Sequence, residues 1–229
     1  MRVCIAFIML WLALVSDISA QDIENPAYGL KSHETMELTG VELRTDMTVI
    51  RLTIENRVLS GFFCVDRNTS LILPDGTRLG LIKTEGIPFC PAVHSFQKIG
   101  EVLSFVLYFP PVKSGTTWFD LVEECSDNCF SVYGITLDTA MNSEIERGYN
   151  LSEFGKSKES ATVFEEIIAS VGTEKHGILG SLYSTTIIMH LRNGDEISAK
   201  RWYELLKGSA APRLSLYLEN LSARGIKWQ

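Results

Sequence analysis

The sequence predicts a mainly β protein: an antiparallel β-sandwich followed by a small α+β domain. Three observations carry that prediction. The chain opens with an export leader, residues 34–138 alternate with period two, and helical periodicity sets in after residue 160.

Met1-Arg2 gives a positive start, Val3 to Val15 an apolar run, and Ser19-Ala20 a small-residue cleavage site before Gln21. Residues 1–20 are therefore read as a secretory signal peptide, too short for a membrane span. Export puts Cys64, Cys90, Cys125 and Cys129 in an oxidising compartment where they can pair. Four cysteines allow three pairings. The polar Ser-Asp-Asn turn between Cys125 and Cys129 suits a local bridge, which leaves Cys64 for Cys90. A redox dithiol or a zinc site is the functional alternative. The Cys125–Cys129 spacing is one residue longer than the usual catalytic dithiol, and zinc sites usually show two close pairs.

Loss of residues 1–20 removes Arg2 and Asp17 and leaves the net charge at −7. An acidic chain argues against nucleic acid as a partner and gives no reason to expect anionic lipid. After the leader there is no second long apolar run, so no membrane span is expected.

Residues 21–33 read as an extended leader with an Asn-Pro step. Met36 and Leu38 alternate with polar neighbours, and Thr39-Gly40 shifts the phase, which suggests a bulge. Ile50, Leu52 and Ile54 form a half-buried strand. Leu71 to Leu73, Pro74-Asp75-Gly76 and Arg78 to Ile82 read as a hairpin. Leu103, Phe105, Leu107 and Phe109 give the clearest strand, stopped by Pro110-Pro111. Thr117 to Val122 and Phe130 to Leu137 are two more, joined by the Cys125–Cys129 turn. Short, turn-linked strands without an intervening helix point to a sandwich.

Residues 139–160 are polar and hold Gly148 and Gly155, so they read as a linker to a small α+β domain over 161–229. Val163, Phe164, Ile167, Ile168 and Val171 share one helical face, which Gly172 ends. Leu182 to Leu191, rich in β-branched residues, reads as a strand before the tight turn Asn193-Gly194. Ser198 caps a helix that Gly208 ends, and Pro212 opens a last helix with Gly225 as its stop.

No catalytic residue, cofactor or metal ligand is nominated. His33, His94, His176 and His190 stand at no metal spacing, and His94 is expected to be exposed. Asp120, Glu123, Glu124 and Asp127 read as a solvated strand end. Tyr108, Trp118 and Tyr133 are the candidate binding aromatics, with Trp228 beside them. Sequons stand at Asn68, Asn150 and Asn220, the last near the apolar face of a helix.

The runs Asn68-Thr69-Ser70-Leu71, Asp75-Gly76-Thr77, Glu85-Gly86-Ile87-Pro88, Leu103 to Pro110, Phe119-Asp120-Leu121-Val122-Glu123 and Tyr133-Gly134-Ile135-Thr136-Leu137 stand in this order. Together they resemble an uncharacterised immunoglobulin-like β-sandwich domain of exported proteins from Gram-negative, Bacteroides-type bacteria. The resemblance covers residues 34–138. It implies a periplasmic or surface location and no catalytic residues. The immunoglobulin cysteine–tryptophan fingerprint is absent, and the four cysteines lie outside the pattern.

The expected function is that of an exported, non-catalytic envelope protein that binds a protein or glycan. The alternatives are a thiol-active periplasmic protein using Cys125 and Cys129, and a hydrolase with a site in the C-terminal domain or at the junction, around His176 or His190.

Overall fold

The computed structural model describes residues 21–172 and 174–228; the signal-peptide reading of residues 1–20 lies outside them. Among the described residues, strands run up to Thr136 and helices follow from Thr139. The first strands are β1 (Gln21–Glu24), β2 (Leu30–Lys31), β3 (Met36–Leu43), β4 (Thr48–Glu55), β5 (Phe62–Phe63) and β6 (Thr69–Ile72). They continue with β7 (Arg78–Gly80), β8 (Lys83–Glu85), β9 (His94–Ser95), β10 (Val102–Phe109), β11 (Trp118–Glu123) and β12 (Ser131–Thr136). The helices are α1 (Thr139–Glu153), α2 (Ser157–Val171), α3 (Leu179–Arg192), α4 (Glu196–Lys207) and α5 (Leu214–Ala223).

One antiparallel sheet has the order β1-β3-β4-β10-β8, the other β2-β12-β11-β6-β7, and β5 and β9 form a short ribbon. Alternation explains the core. Ile50, Leu52 and Ile54 of β4 and Phe105, Leu107 and Phe109 of β10 meet Leu71, Phe119, Leu121, Val132 and Ile135 of the second sheet in one buried cluster. The register of β3 on β4 shifts between Leu38 and Gly40, where the sequence breaks phase.

The C-terminal part departs from expectation. Residues 139–160 are no linker: Asp138 caps α1 through the amides of Ala140 (2.9 Å) and Met141 (3.0 Å), and α2 begins at Ser157. Gly148 marks close packing rather than flexibility. A Cβ there would lie 2.7 Å from the Phe164 ring, and Ser160 donates to the Gly148 carbonyl at 2.8 Å. Gly155, at φ 74°, follows the end of α1.

Leu182 to Leu191 is not a strand but the body of α3. Leu179, Leu182, Thr186 and Met189 fall on one buried helical stripe that overrides the β-branched composition. Ser184 and Thr186 return hydrogen bonds to Gly180 and Leu182, as helical hydroxyls do. With that strand gone, the described part of the C-terminal region is helical, and helices hold slightly more residues than strands. The chain is therefore strand-rich antiparallel sheets followed by helices.

Asp195, not Ser198, caps α4, its carboxylate accepting from the Ser198 amide at 3.0 Å. Ile226 folds back to the Leu221 carbonyl (2.9 Å) after Gly225 at φ 77°. α1 to α5 pack around a second core of Phe164, Ile167, Ile187, Leu206 and Leu221.

Two disulfides, Cys64–Cys90 and Cys125–Cys129, staple the same end of the two sheets. Phe63, beside Cys64, packs on Phe130, beside Cys129, with ring centroids 6.1 Å apart. Their sequence separations of 26 and 4 predict unequal effects on stability. Replacing Cys64 and Cys90 by alanine is expected to cost about 3–4 kcal/mol, and the same change at Cys125 and Cys129 about 2 kcal/mol. Urea titration of the two double variants measures the difference.

Candidate functional site

The segment from Gln21 to Lys31 forms the edge of both sheets. β1 lies on β3; Asn25, at φ 45°, and Pro26 then turn the chain across to the other sheet. There the Ala27 carbonyl accepts from the Thr136 amide (2.9 Å) and the Gly29 amide donates to Tyr133 (2.7 Å) before β2 pairs with β12. The expected leader is thus built into the fold. Gly40 makes this possible on one side, because a Cβ there would collide with the Arg51 guanidinium. Arg51 crosses that gap to Asp22 (2.7 Å) and Glu24 (2.8 Å). On the other side, Asn142 of α1 accepts from the Ala27 amide at 2.8 Å.

Between this segment and the helices runs a groove. Two cavities of about 790 and 700 Å³ meet at Tyr28, Gly29, Tyr149 and Ser181. The helical wall comes from α1, α3 and α5 and the residues flanking them; α2 and α4 contribute no lining residue. Hydroxyls of Ser181, Ser184, Thr185 and Tyr149 stud it. Its two ends differ in charge. Asp22, Glu24 and Glu146 line one cavity, while Lys31, Arg192 and Arg224 line the other beside Glu34 and Glu153. Arg51 offsets the first two acids and Glu37 offsets Lys31. Among the described residues Glu146, Arg192 and Arg224 form no ion pair.

What fixes the groove's width is the seat of the helices on the second sheet. Asp120, on β11, is 3 % exposed. Its carboxylate accepts from the Gly134 amide (2.7 Å) and from Arg213 (2.5 Å), which stands at φ 56° just before α5. The Arg213 guanidinium lies 3.9 Å above the Tyr133 ring. Four residues on, Tyr217 fills a hollow where Gly29 and Gly180 leave no room for a side chain. Burial pushes the Tyr217 phenol well above its ordinary pKa. Gly134, at φ 66°, meets the Gly177 backbone, and a Cβ on Gly177 would lie 2.5 Å from Trp118. Bare backbone on both faces lets the two parts approach this closely.

The candidate aromatics are therefore not gathered. Trp118 is buried under the helices rather than exposed, and Tyr133 is covered by Arg213. Tyr108 stands apart on the outer face of the first sheet, its hydroxyl donating to Glu85 at 2.6 Å under Lys83. Trp228 packs on Tyr203 in the helical core. Of the groove's residues, the Asn25-Pro26 step and the sequon asparagines Asn150 and Asn220 carry a signal legible in the sequence.

The acidic strand end also differs from expectation. Asp120 and Glu123 are buried, and only Glu124 and Asp127 are solvated. Alternation along β11 holds, but both of its faces are covered: Phe119, Leu121 and Glu123 turn to the core between the sheets, and Trp118 and Asp120 turn to the helices. Glu123 accepts from the amides of Asp66 (2.7 Å) and Phe130 (3.1 Å), and burial raises its pKa. One of its oxygens lies within 4.8 Å of both Cys125 and Cys129 sulfurs, which are joined in the disulfide. A carboxylate there opposes thiolate formation, against the electropositive setting that reactive cysteines use.

Neither candidate histidine lines the groove. His190 meets Glu165 at 2.7 Å through Nε2 and Asp195 at 3.7 Å through Nδ1. Both ring nitrogens face carboxylates, so neither faces a nucleophile as a hydrolytic base must. Glu165 also accepts from Trp202 (2.8 Å), tying α2, α3 and α4 together. His94 is half-buried, its ring against Phe96 with centroids 4.9 Å apart.

His176 is buried beside Trp118, and burial pushes its pKa down to about 4. The fold thus holds it neutral, and the unfolded chain takes up the proton first as pH falls below about 6.5. Stability is expected to fall by about 2 kcal/mol between about pH 7 and pH 5 through this group. Urea titrations of wild type and His176→Gln at both pH values isolate its share. Asp120→Ala is expected to cost about 3–5 kcal/mol by leaving Arg213 unpaired at the junction. Denaturation measures the loss, and hydrogen exchange in α5 shows where it falls.

No protein-family model, no curated protein and no solved structure matches the chain.

Proposed function

We propose that this is an exported, non-catalytic envelope protein that holds an extended polypeptide segment of a partner in the groove between its N-terminal edge and the helices. The carrying observation is the groove itself: two joined cavities walled by a sheet-edge segment on one side and by α1, α3 and α5 on the other. An edge segment offers main-chain hydrogen bonds to an added strand. The hydroxyl-rich wall offers bonds that do not depend on one sequence. Glu146 at one end and Arg192 and Arg224 at the other would orient a bound chain by its charges.

The disulfides support an oxidising location, which we assign to the periplasm or cell surface. In this reading the strand-rich part is an immunoglobulin-like sandwich of the kind found in exported Bacteroides-type proteins. Its two five-stranded antiparallel sheets around one core support that assignment.

Ser181 sits where the two cavities meet. Peptides selected from a displayed library on residues 21–229 are expected to bind Ser181→Trp at least about tenfold more weakly, with thermal stability retained. Fluorescence anisotropy measures both affinities. Equal binding by the variant would remove the groove as the site. A glycan-array ligand that Ser181→Trp blocks, with no selected peptide that does so, would replace the polypeptide reading.

A further inference from the structure

The loops at the disulfide-stapled end expose large apolar side chains. Leu59 is 84 % exposed, Phe62 68 %, Val58 60 % and Ile99 54 %, with Val93 close behind. They stand together because one buried side chain gathers their loops. Asn56 donates from Nδ2 to the carbonyls of Val58 (3.0 Å) and Lys98 (2.9 Å), and its Oδ1 accepts from the Val58 amide (3.3 Å). Its backbone bonds Glu101 and Gly100 at 2.8 Å each. Phe62 pairs with Ser95 in the β5–β9 ribbon, so Phe62 and Val93 share the outer face while Phe63 turns inward on Phe105. Cys64–Cys90 ties the base of that ribbon.

Solubility does not favour so many exposed apolar side chains in one place, and a contiguous patch of this kind marks an interaction surface. Three features select the partner. The patch is carried on loop tips, which suits insertion rather than a flat protein face. The carbonyls of Val58 and Lys98, at the tip, are already satisfied by Asn56, and a hydrocarbon environment demands this of backbone groups. The charge is also one-sided. Residues 56–63 and 91–100 contain Arg57, Lys98 and His94 and no carboxylate, in a chain of net charge −7. Glu55 lies 3.5 Å from Arg57, and Glu101 accepts from the Gln97 amide (2.7 Å) and lies 3.5 Å from His94, which leaves Lys98 as the tip cation without an ion pair among the described residues. Local cations flanking an apolar tip match anionic headgroups above acyl chains.

We propose that this tip inserts into the headgroup boundary of a bilayer bearing anionic lipid and so anchors the exported protein peripherally. Leu59 and Phe62 enter the apolar zone, Val58, Val93 and Ile99 flank them, and Arg57 and Lys98 stay at headgroup level with their alkyl stems buried. The anchoring stands independently of the groove.

The test is flotation of residues 21–229 with phosphatidylcholine vesicles, with and without phosphatidylglycerol. Binding is expected to require phosphatidylglycerol and to weaken with salt. The double variant Leu59→Ser/Phe62→Ser, altered only at exposed positions, is expected to bind about tenfold or more weakly with an unchanged melting temperature. Arg57→Gln/Lys98→Gln is expected to lose the preference for anionic lipid. A Leu59→Trp probe is expected to shift its emission to the blue on vesicles. Absence of binding, binding that the Leu59→Ser/Phe62→Ser variant retains, or a Leu59→Trp spectrum unmoved by bound vesicles overturns the proposal. So does a dimer, seen by sedimentation velocity, that this double variant dissolves, because the patch then belongs to a second copy of the chain.

Discussion

The buried contact between Asp120 and Arg213 is the constraint on which the relation of sheets to helices depends. A carboxylate withdrawn from water on a β-strand is costly unless its oxygens are satisfied. Here one oxygen takes the Gly134 amide from the neighbouring strand, and the other takes a guanidinium from a residue 93 positions later. Arg213 reaches it from a left-handed backbone (φ 56°) at the residue that precedes α5. Its stacking on Tyr133 fixes the guanidinium from the other side. One charged pair therefore ties the start of α5 to the second sheet.

The consequences reach the groove through Tyr217. One turn beyond Arg213, its ring lies against Gly180 of α3 and its hydroxyl against Gly29 of the edge segment. A single side chain thus touches the helical wall and the opposite bank at once. The glycines contribute by what they lack: a side chain on Gly29, Gly134, Gly177 or Gly180 would push the two layers apart and widen the cleft. The groove follows from a junction closed by backbone contact along one line and held open elsewhere by the N-terminal crossing at Asn25-Pro26.

Much of the strand-rich part was legible because its signals are local. Leu103 to Phe109 alternates in the sequence and pairs centrally as β10. Pro74-Asp75-Gly76 closes a turn in which Asp75 takes the Thr77 amide at 2.9 Å. The helical part was less legible, and the reasons differ from residue to residue. α1 buries little beyond Ile145 and Gly148, so no apolar stripe announces it. Gly148 looked like a breaker because its purpose, room for Phe164, lies in another helix. Thr185, Thr186, Ile187 and Ile188 favour a strand by type and are helical by context. For the candidate site, nothing near Asp120 encodes Arg213. Alternation puts Asp120 and Glu123 on opposite faces of β11, and what it does not reveal is that helices cover the one and the facing sheet the other.

Charge shows the same gap between a sequence average and a placed side chain. The net charge of −7 weighs against anionic surfaces, yet folding brings Arg57 and Lys98 beside the apolar loop tips, with Glu55 paired to Arg57 and Glu101 turned to Gln97 and His94. The two proposed surfaces are also separable by strand geometry. The tip sits beyond Glu55, at the end of β4 where β10 begins. Gln21, next to the acidic end of the groove, pairs with Leu43, which pairs with Thr48 at the other end of β4. Seven residue steps of β-strand separate those ends, roughly 23 Å. A bilayer at the tip would therefore leave the acidic end of the groove clear of the headgroups.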